Sequence, residues 1–83
     1  MVLTIDVGNT NIVLGGFEGE ELTFVSRMQT DKHKMADEYA VQIKALLEFN
    51  GYAPQRFDGV ILSCVVPPVM DSLKRACSRL FSC

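Results

Sequence analysis

The segment Asp6-Val7-Gly8-Asn9-Thr10-Asn11 gathers a carboxylate, two side-chain amides and a hydroxyl within six residues. Apolar runs flank it, Val2-Leu3-Thr4-Ile5 before and Ile12-Val13-Leu14 after. Such a pattern predicts a strand, a tight polar turn and a second strand. Small side chains and backbone N–H groups at a turn suit the gripping of a nucleotide's phosphates. A bare carboxylate beside phosphate would be repelled. Asp6 therefore makes chemical sense there when a cation, Mg²⁺ through its waters, lies between the two charges. The rival reading of the same six residues is an ordinary Asn-Gly-type hairpin turn.

The remaining elements must position this turn. Residues 2–6, 11–17 and 21–28 read as consecutive strands with tight turns, an antiparallel meander. Gly15-Gly16 inside the second strand predicts a bulge or the close packing of a helix on the sheet; the alternative is room for a ligand. Ala36, Ala40, Ile43, Leu46 and Leu47 recur at helical spacing. Asp37 and Glu38 complement the dipole of that helix, and Gly51 ends it. Met35 stands where Ser or Thr would cap well, at a cost of about 1 kcal/mol. Residues 60–66 form an apolar run expected of a strand covered on both faces. Pro67-Pro68 opens a second helix with Val69, Leu73, Ala76, Cys77, Leu80 and Phe81 as its apolar stripe. The order βββαβα implies an α/β fold with a mixed sheet and parallel pairing at the fourth strand. A further α/β element would ordinarily follow, so truncation before the last strand or strands is expected. Apolar surface left uncovered should then drive self-association.

With 83 residues the chain accommodates one small domain. It is 48% hydrophobic and 22% charged, which marks it as globular. The net charge of −2, with scattered basic residues, argues against nucleic acid and anionic membranes as partners. No apolar run reaches the roughly 18 to 20 residues that span a bilayer, and the N-terminus lacks the basic start of a signal peptide. A cytoplasmic location is expected. Cys64, Cys77 and Cys83 have no C-x-x-C spacing and read as reduced thiols. His33 reads as a solvated loop residue, with anion contact at a cleft rim as its functional alternative. Ser63 and Thr30 have no histidine placed to activate them as nucleophiles.

The hexapeptide at a strand–turn–strand resembles the first phosphate motif of the acetate-and-sugar-kinase, Hsp70 and actin superfamily. Three further segments narrow the resemblance. They are Met28-Gln29-Thr30-Asp31-Lys32-His33-Lys34, Asp37-Glu38-Tyr39 and Ser63-Cys64-Val65-Val66-Pro67-Pro68. Together they resemble the N-terminal portion of type III pantothenate kinases, across essentially all 83 residues. The resemblance implies a ribonuclease H-like N-terminal half, with residues 1–83 forming a single partial domain that binds nucleotide phosphates. It implies ATP-dependent phosphorylation of pantothenate, with Mg²⁺ and a monovalent cation, K⁺ or NH₄⁺. Asp6 would organise Mg²⁺. Val7, Gly8, Asn9, Thr10, Asn11, Ile12 and Val13 would line the nucleotide site, with Gly8 permitting the turn and close approach of backbone to phosphate. The family works as a homodimer on small-molecule substrates.

Cys64 stands where many relatives carry serine. The second phosphate motif, the general-base aspartate and the potassium ligands of relatives lie downstream of any position here. No catalytic residue is therefore assigned within this chain, and Asp31, Asp37, Asp58 and Asp71 are not promoted to that role. The isolated chain is expected to bind weakly and not to turn over. The other reading is a non-catalytic relative acting as an accessory transcription factor through protein partners, or a chain inactive by itself.

Overall fold

A computed structural model describes residues 1–82; Cys83 lies outside the described residues. Three strands, β1 (Val2–Val7), β2 (Asn11–Glu18) and β3 (Glu21–Gln29), lead into helix α1 (Ala36–Phe49). A short 3₁₀ turn at Pro54–Arg56 precedes strand β4 (Gly59–Cys64) and helix α2 (Pro67–Leu80). The sheet order is β3-β2-β1-β4. β1 pairs antiparallel with β2 and parallel with β4, placing Asp6 opposite Val13 on one side and Ser63 on the other. The expected α/β class, mixed sheet and ribonuclease H-like βββαβα order are all present.

Local sequence explains the boundaries. Gly19 turns β2 into β3 with φ +61°, a conformation that costs glycine little. Gly51 ends α1 at φ +91°, with its N–H bonded to Glu48 O (3.0 Å) and that of Tyr52 to Leu47 O (2.9 Å). Those two bonds make a Schellman closure and satisfy carbonyls the helix leaves open. Met35 contributes no side-chain cap, as expected. Glu38 offsets this by reaching back, accepting the Met35 N–H at 2.9 Å.

Both helices cover one face of the sheet. Leu3, Ile5, Val7, Ile12 and Leu14 form the sheet side of the core, and Tyr39, Ile43, Leu47, Val69 and Leu73 close it from above. At one end Phe24, Tyr52, Phe57 and Phe81 form a chain of aromatic contacts with centroids 5.3–6.4 Å apart. Gly16 exists for this cluster. A Cβ there would lie 2.1 Å from the Phe24 ring, and the β2–β3 register shifts between Gly16 and Phe17. The expected bulge is present, but a ring from the neighbouring strand, not a helix and not a ligand, fills the space.

The other face is open. Alternation along the strands puts Val2, Thr4, Asp6, Val13, Phe17, Leu22, Val25, Ile61 and Ser63 on it. The expectation that residues 60–66 form a strand covered on both faces is therefore corrected. β4 stops at Cys64 and lies at the sheet edge, with Ile61 61% exposed; the apolar run reflects one half-buried face plus the buried α2 cap Val66. Exposed apolar side chains on a flat sheet favour association. The 83-residue chain should self-associate at high concentration in sedimentation experiments, and Ile61→Lys should shift it toward monomer. A monodisperse wild-type monomer under those conditions would contradict this.

Candidate functional site

The turn expected at Asp6 to Asn11 sits at the C-terminal end of β1, where the parallel β1–β4 pair also ends. Asp6 is the penultimate residue of β1, exposed on the open face. Its carboxylate makes no hydrogen bond or ion pair with any described residue. Residues 8–10 form the connection, closed by the Gly8 N–H on Asn11 O at 2.8 Å. The Val65 N–H donates to Val7 O at 3.2 Å, tying the segment after β4 to the base of the turn. Asn9, Thr10 and Asn11 are exposed, and their side chains carry no hydrogen bond among the described residues. The backbone N–H groups of Asn9 and Thr10 are likewise unspent.

The structure divides the expected site residues in two. Asp6, Asn9, Thr10 and Asn11 present their side chains together at one end of the sheet. Val7 and Ile12 are fully buried in the core beneath, so a ligand could meet only their backbone. Val13 is half-buried on the open face beside Asp6. Gly8 differs from expectation in its reason for being glycine. Its φ is not positive, and a Cβ would lie an ordinary 3.4 Å from Asn11 O. The turn itself does not require glycine, which leaves an open path to the backbone as what its missing side chain provides.

Two residues that matter here were not read from the sequence as part of the site. Thr30, just past β3, donates its hydroxyl to Gly8 O at 2.8 Å and its N–H to Thr10 O at 2.9 Å. Tyr39, fully buried on α1, donates its hydroxyl to Asp31 O at 2.7 Å and accepts the Asp31 N–H at 3.0 Å. The loop is thus pinned to Thr30, and the next residue is pinned to a core helix. Burial raises the Tyr39 phenol above its usual value; the hydrogen bond it accepts from the Asp31 N–H opposes this, and the Asp31 and Cys64 charges add to it. The sequence signal available was the Thr30-Asp31 pair after a strand, but contacts between elements, 8 residues apart for Tyr39 and 22 for Thr30, are not visible in periodicity.

The other candidates are occupied elsewhere. Asp31 accepts the His33 N–H at 2.9 Å, Asp37 pairs with Arg79, Asp58 with the N-terminal ammonium and Asp71 with Arg75. His33 is an exposed loop residue as expected. Ser63 is exposed next to Asp6 in register, and its hydroxyl forms no hydrogen bond among the described residues. Among the described residues no group of three or more His, Cys, Asp or Glu side chains could enclose a metal. Cys64 forms no disulfide among the described residues. No helix of the described residues is long and apolar enough to cross a membrane. A surface groove runs along α1, lined by residues such as Lys34, Glu38 and Val41, and includes no residue of the loop.

Comparison with known proteins agrees with the motif reading. The family model described as type III pantothenate kinase matches residues 2–83. The type III pantothenate kinase of Roseiflexus castenholzii (strain DSM 13941 / HLO8) is 44% identical over 81 residues. That match covers 98% of this chain and 32% of the relative, so the chain spans about a third of the relative's length.

Removal of the Tyr39 hydroxyl deletes two hydrogen bonds to the backbone of the exposed Asp31, each worth about 0.5–1.5 kcal/mol. Tyr39→Phe should lower the denaturation midpoint at neutral pH accordingly. The raised phenol adds a pH dependence. Its stabilisation is complete below the unfolded value of about 10 and declines as pH rises toward the folded value. Wild type should lose stability faster than Tyr39→Phe above pH ~10; parallel losses in denaturant titrations would contradict the assignment.

Proposed function

This chain belongs to the type III pantothenate kinase family, and on that footing we propose that it supplies the first phosphate-binding segment of an enzyme transferring phosphate from ATP to pantothenate. One observation carries the proposal. An exposed Asp6 carboxylate adjoins a loop whose Asn9 and Thr10 N–H groups, and whose Asn9, Thr10 and Asn11 side chains, have no partners among the described residues, nor has the carboxylate itself. Unpaired polar groups clustered at the end of a sheet are poised to bind a polar ligand, and donors beside a carboxylate suit an anion and a cation together.

The donor set fits Mg²⁺·nucleotide. Mg²⁺ prefers one or two carboxylates plus phosphate oxygens and retained waters to an enclosed protein cage, and Asp6 offers one such carboxylate. Bound Mg²⁺ supplies charge neutralisation on the phosphates. Asp6 would hold it through water, while the loop N–H groups and the Asn and Thr side chains orient phosphate oxygens. Phosphoryl transfer depends chiefly on such positioning. The four other aspartates considered, each engaged in its own contact, are not assigned as general base. Turnover, pantothenate recognition, the monovalent cation and a dimeric working state are proposed for the whole protein, on family grounds.

Calorimetric titration of ATP with and without Mg²⁺ tests the assignment. Wild type should bind ATP more tightly with Mg²⁺, and Asp6→Asn should abolish that advantage, worth about tenfold or 1.4 kcal/mol. Metal-free ATP should bind the variant at least as well as wild type, since a repelling charge is gone. An undiminished Mg²⁺ advantage in Asp6→Asn would remove Asp6 from this role.

A further inference from the structure

We infer that Thr30 is a positioning residue for the phosphate loop, selecting the orientation in which the loop offers the Asn9 N–H and turns the Gly8 and Thr10 carbonyls aside. The inference rests on the phosphate-binding reading of residues 6–11 and adds a residue outside that segment. In a turn that meets an anion, carbonyl oxygens are as harmful as N–H groups are helpful. The carbonyls of Gly8 and Thr10 flank Asn9, and Thr30 takes up both. Its hydroxyl binds Gly8 O at 2.8 Å and its amide binds Thr10 O at 2.9 Å.

A planar trans peptide points its C=O and N–H in opposite directions. The Gly8 carbonyl shares its peptide unit with the Asn9 N–H. With that carbonyl directed at the Thr30 hydroxyl, the Asn9 N–H must point away from Thr30, and it has no partner among the described residues. Rotation of this peptide unit would turn the Gly8 oxygen toward an incoming phosphate and the Asn9 N–H away from it. The Thr30 hydroxyl opposes that rotation. The backbone bond to Thr10 O survives any side-chain change at position 30, so the hydroxyl alone controls the Gly8–Asn9 unit.

The brace is itself anchored. Asp31 is held at both its N–H and its C=O by the buried Tyr39 hydroxyl, at 3.0 and 2.7 Å. Thr30 therefore stands between β3 and a residue fixed to the core, and cannot drift with the loop. Serine retains the hydroxyl, whereas valine keeps the shape and removes it. The pair separates the hydrogen bond from packing.

The test compares wild type, Thr30→Ser and Thr30→Val by calorimetric titration with Mg²⁺·ATP and with Mg²⁺·tripolyphosphate. A neutral hydrogen bond contributes about 0.5–1.5 kcal/mol, which sets the expected loss in Thr30→Val at up to about tenfold. The loss should be the same for both ligands, because only phosphate contacts depend on the loop orientation, and Thr30→Ser should restore most of the affinity. A fall in thermal midpoint with unchanged affinity of the folded protein would reduce Thr30 to a structural role and overturn the inference. So would equal affinity of all three proteins. Wild type that binds neither ligand would overturn the phosphate reading of the loop itself, and this inference with it.

Discussion

A backbone loop can receive a phosphate only if its N–H groups face outward and its carbonyls are occupied elsewhere. Three of the carbonyls around the turn meet that constraint. The Gly8 N–H closes the turn on Asn11, the Gly8 and Thr10 carbonyls are taken by Thr30, and the Val7 carbonyl is taken by Val65. Among the described residues, what remains unspent is the Asn9 carbonyl and a set of donors beside one carboxylate. The loop borrows rigidity from the sheet, since Val7 and Ile12 at its two feet are fully buried. Core packing and loop chemistry are therefore one problem. The alternation that buries Val7 and Ile12 is what turns Asp6 to the open face.

Much of this was legible in the sequence because it depends on short-range patterns. Alternating apolar residues and the polar hexapeptide identified the hairpin. The helical spacing from Ala36 to Leu47, and Pro67-Pro68 before Val69, identified both helices. Pairing at β4 followed from the element order. What was not legible depends on contacts distant in sequence. Nothing local marks Thr30 as the partner of Gly8, or Phe24 as the ring that requires Gly16. The unbroken run at 60–66 misled for a physical reason. An edge strand followed directly by an apolar helix cap has the same composition as a strand buried on both faces, and only tertiary packing distinguishes them.

The placement of charge is consistent with a site built for a metal–anion pair. The chain is mildly acidic overall, and its other aspartates are satisfied by His33, Arg79, Arg75 and the N-terminal ammonium. Asp6 differs from them in having no cation or donor of its own among the described residues. An exposed carboxylate without a partner costs little in water, but its position beside unpaired N–H groups gives it a use that a surface salt bridge would remove. Membership in the type III pantothenate kinase family gives that geometry a chemical setting, and the geometry in turn nominates residues for it.

The central claim is that the β1–β2 turn is preorganised to hold nucleotide phosphates. The most direct measurement is a two-dimensional amide NMR titration of the 83-residue chain with Mg²⁺·ATP. If the claim holds, the largest shifts fall on Asn9 and Thr10, with smaller ones at Gly8 and Thr30. Shifts concentrated along the α1 groove around Val41, with the Asn9 and Thr10 amides unmoved, would contradict it.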